Sequence, residues 1–276
     1  MTDFPDLYAF VVRLHAIGSE PLPRPQGHGV QALFLDLVRQ VAPDTADRLH
    51  ADAPSKPYTV AVLPQRSRSL VELHISLLRA ELFQPFVQAM LQQMPGEAPL
   101  RLGQARLRLG DVIGTPAPQG HPWAGYSSFA DLHSSAEPVH TVALEFATAT
   151  AIGQGARPDG KQRLALLPDP ALIFPSLAKR WNELAPARLR LDPEAVRVAA
   201  ADTLVTRYRA ASTEINLGKG PQKGFVGTVA YELPTDKAQA SLLALLADAA
   251  LYLGVGMKTA RGMGLCRRLT EREVPS

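Results

Sequence analysis

A single cysteine, Cys266, occurs in 276 residues. It has no partner for an intramolecular disulfide and cannot build a cysteine zinc cluster, so a reducing compartment is expected. Aromatic residues are also scarce, at 6%, which leaves aliphatic side chains to fill the interior. No apolar run approaches the roughly 18 uncharged residues that point to a membrane helix. The richest, Leu242–Leu253, is shorter and contains Asp248. The first residues show no charged segment followed by a signal-like apolar run. A soluble cytoplasmic protein with no membrane partner is expected. The histidines follow no HExxH or close metal-ligand spacing, and there is no GxxxxGK[ST] phosphate loop. No metal and no cofactor are expected.

What is present suffices for a folded core. The chain is 46% hydrophobic, and its 24 prolines and 20 glycines are dispersed among apolar segments, as one large domain or two ordinary ones would require. The formal charge of +3 and isoelectric point near 9.1 permit a polyanion partner without establishing one.

Leu7–His15 reads as a first strand. Val30, Leu33, Phe34, Leu37, Val38 and Val41 recur at helical spacing, giving a helix that Pro43 ends. The same period places His28 and Arg39 on the exposed side, with Gln31 close to it. Lys56–Leu63, Ser69–Leu77 and Leu100–Gly110 read as strands. Leu78–Leu91 reads as a helix that Pro85 kinks or delays, and Pro116–Pro122 as loop. A second half begins with the strand His140–Ala149. Pro170 interrupts an apolar run, and Phe174–Leu184 and Pro193–Leu204 read as helices. The strand Phe225–Leu233 precedes a helix capped by Thr235 or Asp236 and stopped by Gly254, and Gly264–Leu269 closes the chain as a strand. This order predicts an α+β fold with helices on one face of antiparallel sheets. The boundary is set so that residues 1–135 and 136–276 form two domains.

The segment Gly254–Gly264 (GVGMKTARGMG) holds four glycines, Lys258 and Arg261, and no acid lies between Asp248 and Glu271. Glycine lets a backbone turn tightly and approach a ligand, and amides with nearby cations suit phosphate. A helix precedes the segment, whereas a dinucleotide fingerprint follows a strand and opens a helix. Binding of a nucleotide cofactor is therefore disfavoured. A helix stop followed by a plain glycine hairpin accounts for the same composition.

The run ALYLGVGMKTARGMGLCRR resembles the C-terminal signature of the CRISPR RNA-processing endoribonucleases, GxGxKTxxGxG between a helix and a hydrophobic strand. Gly254, Gly256, Lys258, Thr259, Gly262 and Gly264 match that pattern. KGFVGTVAYEL resembles the family's strand before the last helix, and ALFLDLV with SKPYTVAVL its first helix and following strand. The resemblance implies two ferredoxin-like (RRM-like) domains. It also implies a metal-independent endonuclease that cuts CRISPR precursor RNA once per repeat. The 2′-hydroxyl attacks the adjacent phosphate, leaving a 2′,3′-cyclic phosphate and a 5′-hydroxyl, and the product guides an effector complex. The implied partners are repeat RNA, effector subunits and a second copy of the chain.

That chemistry needs proton transfer and a cation near the phosphate. His28 is the leading candidate, at the start of the first helix, where relatives carry their catalytic histidine. Many of them place it directly before the alanine of the ALFL-like run, where this chain has Gln31. His15 follows, then Lys56. Tyr8 and Tyr58 offer phenols. His50, His74, His121, His133 and His140 are weaker. Arg24, Arg66, Arg68, Arg207, Arg209, Lys219 and Lys223, with Gly254, Gly256, Lys258, Thr259, Arg261, Gly262, Gly264 and Arg267, are the RNA-binding candidates. Trp123, Tyr126 and Phe129 are candidates for base stacking or for packing. Two other readings stand beside the endonuclease: a non-catalytic RNA-binding effector subunit, and a non-enzymatic α+β interaction protein.

Overall fold

The computed structural model describes residues 5–18, 27–51, 55–64, 67, 69–94, 99–156, 158–160, 162–218 and 220–273. Its contacts divide the chain into two units. The first comprises Met1–Ser128 together with Ile215–Pro221 and Ala260–Gly262; the second holds the remainder. Among the described residues no helix is long and apolar enough to cross a membrane.

The first unit runs β1 (Leu7–Ala16), α1 (Gly27–Val41), α2 (Pro43–His50), β2 (Tyr58–Val62), β3 (Leu70–Leu77), α3 (Phe83–Gln93), β4 (Leu100–Leu102), β5 (Ala105–Ile113) and β6 (Gly125–Ser127). The sheet order is β2-β3-β1-β5-β4, with β6 beside β1. Alternation along β1 sends Phe10, Val12 and Leu14 into a core shared with Val30, Leu33, Phe34 and Leu37 of α1 and Phe86 of α3. Each such side chain contributes roughly 1.5–3 kcal/mol of burial free energy.

Several boundaries differ from those the sequence predicts. Pro43 opens a second helix, because proline at a first helical position has no amide to leave unpaired. Pro85 falls in the first turn of α3 and is tolerated for the same reason. The run Leu100–Gly110 is a hairpin: Leu102 pairs with Ala105 around a two-residue turn in which Gly103 takes φ +62°.

The second unit runs α4 (Phe129–Ser134), β7 (Thr141–Thr150), β8 (Ile152–Ala156), β9 (Gln162–Ala165), α5 (Pro170–Leu184), α6 (Pro193–Ala201), β10 (Leu204–Asn216), β11 (Pro221–Glu232), α7 (Lys237–Leu253) and β12 (Cys266–Leu269). Its main sheet is ordered β10-β11-β7-β12, with β8 and β9 as a separate hairpin. Asp169, Asp192 and Asp236 accept main-chain amides at the starts of α5, α6 and α7. Pro170 thus begins a helix instead of interrupting a run. Leu204 begins a strand instead of ending a helix, because Asp202 and Thr203 close α6. Trp181 is fully buried, donates to the Leu189 carbonyl at 2.7 Å and meets the Phe129 ring edge-on. In both units the order strand, helix, two strands, helix, strand, with the first strand between the third and the last, is the ferredoxin-like arrangement.

The face of the first sheet away from its helices carries an unusual group. His74 on β3 is fully buried against the edge of Trp123. Its ring nitrogens make no well-formed hydrogen bond, with only weak support from the Trp123 main chain. Burial, and secondly the neighbouring His121, push its pKa from 6.5 down to about 3. The unfolded chain therefore binds one more proton than the folded chain between those values. Stability is full above pH 6.5 and declines as pH falls toward 3. Urea unfolding at pH 6.5 and 4.5 should show His74→Leu losing about 2 kcal/mol less than the parent on acidification. Equal losses would place the proton elsewhere.

Candidate functional site

The first turn of α1 meets two segments that belong to the same unit. Gly27 has no room for a side chain, since a Cβ there would overlap the Arg261 carbonyl oxygen and the Leu217 side chain. His28 is exposed, and its Cβ lies 3.6 Å from where a Cβ on Gly218 would stand. One turn along the helix, Gln31 is buried. Its amide nitrogen donates to the Tyr58 hydroxyl at 2.9 Å, and its amide oxygen accepts from Arg261 Nε at 3.1 Å. This corrects the placement of Gln31 near the exposed side. Leu35, left out of the predicted stripe, is also buried, and Gln31 lies four residues before it on the widened apolar face. Tyr58 is fully buried; burial raises its phenol pKa, against the opposing effects of the Gln31 hydrogen bond and the Arg261 charge.

The glycine-rich segment is built as a joint. Gly254, Gly256, Gly262 and Gly264 all have positive φ, and Lys258 adopts +58°. A Cβ on Gly256 would overlap the Ala151 carbonyl oxygen, and one on Gly264 that of Val255. The Thr259 methyl fills the space against Gly254 and Gly264. Amides of Gly254, Val255, Gly256, Met257, Gly262, Met263 and Gly264 all donate within the protein. The expectation that this backbone cradles phosphate is corrected for those seven groups. Ala260 joins the core of the first unit, and the Gly262 amide donates to the Val60 carbonyl at 2.9 Å, on β2.

The family model for the CRISPR-associated endoribonuclease Cas6 matches residues 144–266. A Cas6 product complex is 31% identical, covers 96% of this chain and 100% of its own, and superposes with a TM-score of 0.83. The Thermus thermophilus Cas6 structure gives 30% identity, 97% and 100% coverage and a TM-score of 0.75. The chain belongs to the Cas6 family. A Cas6 endoribonuclease of Mycobacterium tuberculosis is 25% identical over 243 residues, which are 88% of this chain and 70% of that protein.

Other candidates from the sequence fall in different places on this Cas6 fold. His15 is exposed on β1, and its ring lies 2.6 Å from where a Cβ on Gly110 would stand. Strand alternation puts it on the sheet face away from α1, so the fold does not bring it to His28. Lys56 donates to the carbonyls of Leu49, His50 and Ala51 and so caps the C-terminus of α2. Arg207 and Arg209 are exposed two residues apart on β10, an edge strand, and Lys223 is exposed on β11, 4.0 Å from Glu214. Lys258 donates to Gln222 at 2.6 Å. Arg267 is tied to Glu145 and Glu273 at 2.8 Å each, in a partly exposed ion-pair network. Trp123 and Phe129 are buried, whereas Tyr126 is 61% exposed. Arg24, Arg66, Arg68 and Lys219 lie outside the described residues.

Among the described residues no three His, Cys, Asp or Glu side chains form a metal-holding group. Gly256→Ala and Gly264→Ala should each lower unfolding free energy by about 2 kcal/mol or more, through positive φ and backbone overlap. Chemical denaturation measures this. Unchanged stability with weakened RNA binding would restore the phosphate-cradle reading.

Proposed function

We propose that this protein is a metal-independent endoribonuclease that cuts CRISPR repeat RNA to give guide RNA. The 2′-hydroxyl loses its proton and its oxygen bonds to the adjacent phosphorus. The bond from phosphorus to the 5′-oxygen breaks, and that oxygen takes up a proton. The products are a 2′,3′-cyclic phosphate and a 5′-hydroxyl. The observation that carries this reading is the likeness over nearly the whole chain to a Cas6 product complex.

His28 is the proton-transfer group in this proposal. Histidine exchanges protons near neutral pH, and His28 is exposed at the helix start beside the turn that holds Gly218 and the main chain of Arg261. Arg261 is the cation for the phosphate, because it hydrogen-bonds to Gln31, one turn further along the same helix. Arg207, Arg209 and Lys223 supply backbone contacts to the RNA, whose strength falls with salt.

One observation favours a second reading, a non-catalytic RNA-binding subunit. Gln31 occupies the position where many relatives carry histidine, and a carboxamide transfers no proton at neutral pH.

A single assay separates the two. Purified protein is incubated in EDTA with repeat RNA, and with the same RNA carrying hydrogen in place of the attacking 2′-hydroxyl. Cleavage of the first alone is expected. Tight binding without cleavage supports the subunit, and failure to bind repeat RNA above a scrambled control excludes both. His28→Ala should slow cleavage by about 100-fold or more, the scale of a missing general acid or base. A parental rate would remove His28 from the chemistry. Replacing Arg207 and Arg209 with alanine should reduce the slope of log affinity against log salt by about one for every phosphate that is no longer neutralised. An unchanged slope would take β10 out of the interface.

A further inference from the structure

We propose that Tyr58 and Gln31 form a buried positioning pair that holds the Arg261 guanidinium by its Nε, with its terminal nitrogens turned toward the scissile phosphate. This rests on the endoribonuclease reading above, and makes Gln31 a positioning residue of the cleavage site.

The hydrogen-bond chemistry fixes the orientation. A guanidinium only donates, so the Gln31 group facing Arg261 Nε must be the amide oxygen. The amide nitrogen is thereby turned to Tyr58, whose hydroxyl accepts it. Gln31 and Tyr58 are both buried, at 7% and 0% exposure, so little water competes for the bond between them. Tyr58 is in turn clamped against the Phe34 ring, 4.6 Å between centroids. A carboxamide anchored at both ends cannot rotate without breaking one bond.

The main chain of Arg261 is fixed as well. Its carbonyl lies against Gly27, and the amide of the next residue, Gly262, donates to Val60. Arg261 itself is exposed, and among the described residues its only hydrogen bond is the one through Nε. The two terminal nitrogens, the fork that matches phosphate oxygens, are left for a ligand. The identity of the holder matters. A carboxylate at residue 31 would pair with the guanidinium and cancel its field, whereas a carboxamide orients it and leaves the full positive charge. A preorganised cation of this kind stabilises charge that develops on phosphate during the reaction. His28 stands three residues before Gln31 on the same helix, which puts the proton-transfer group and the residue that holds Arg261 on neighbouring turns of α1.

The test is a double-mutant cycle on the cleavage rate at saturating protein, with RNA affinity measured alongside. Gln31→Met keeps the buried volume and removes both hydrogen bonds. It should slow cleavage about 10- to 100-fold, the scale of a misplaced catalytic group, while repeat affinity changes by no more than about two-fold. In an Arg261→Ala background the same substitution should have no further effect, because the residue it positions is gone. Tyr58→Phe keeps the ring and should give a smaller loss in the same direction. Parental cleavage by Gln31→Met, or losses that multiply in the double variant, would overturn the proposal and leave the endoribonuclease reading intact. If the parent cuts no repeat RNA, that reading falls separately. The positioning pair is then decided by the Arg261 Nε–H proton in a nitrogen-15 spectrum. Slow exchange in the parent that disappears in Gln31→Met supports the pair, and equally fast exchange in both overturns it.

Discussion

The turn from Gly254 to Gly264 sets the geometry of the site. Four glycines with positive φ let the chain leave α7, fold back on itself and enter β12 within eleven residues. Side chains at Gly256 and Gly264 would overlap carbonyl oxygens. That geometry delivers Ala260, Arg261 and Gly262 to the first unit, where Ala260 joins the core and Gly262 donates to β2. The Arg261 carbonyl then lies over Gly27, and its guanidinium reaches Gln31. A glycine signature that suggests a phosphate cradle thus acts mainly through shape. Seven of its backbone donors are engaged inside the protein, and in the proposed reaction its contribution is the arginine it carries.

The site combines unlike groups for a physical reason. The proposed RNA transesterification needs proton transfer and stabilisation of charge on phosphate, and neither requires burial of the reacting group. His28 and Arg261 are accordingly exposed. The groups that aim Arg261 are buried, because an anchor exposed to water would be hydrated and loose. Other cations have structural partners. Lys56 closes α2, Arg267 links β7 to the C-terminal turn, and Arg268 pairs with Asp248 at 3.0 Å. Sequence position alone does not separate these two kinds of cation; their partners do.

Periodicity makes much of the fold legible. The stripe of α1, the aliphatic run of β1, the two-faced strand β11 and the Asp236 cap of α7 are all readable in the sequence. The failures have local causes. Proline reads as a terminator or interruption at residues 43 and 170, yet at both it stands at a helix start. β10 is hidden because it is an edge strand exposed on both faces, with no alternation to read. Periodicity misplaces Gln31 because a buried amide is legible only through its partners, and those lie 27 and 230 residues away. Leu35 on the same face is the available signal that the buried stripe is wider than its most regular positions.

In the proposed function RNA is cut at the start of α1, beside the residues delivered by the glycine turn. Photocrosslinking tests it most directly. A repeat RNA made uncleavable by 2′-deoxy substitution, with one photoreactive nucleotide next to the scissile phosphate, is irradiated on the protein and the attached peptides are sequenced. Attachment is expected within Gly27–Gln31 and Ala260–Gly262. Attachment confined to other segments, such as α5 and α6, would contradict it.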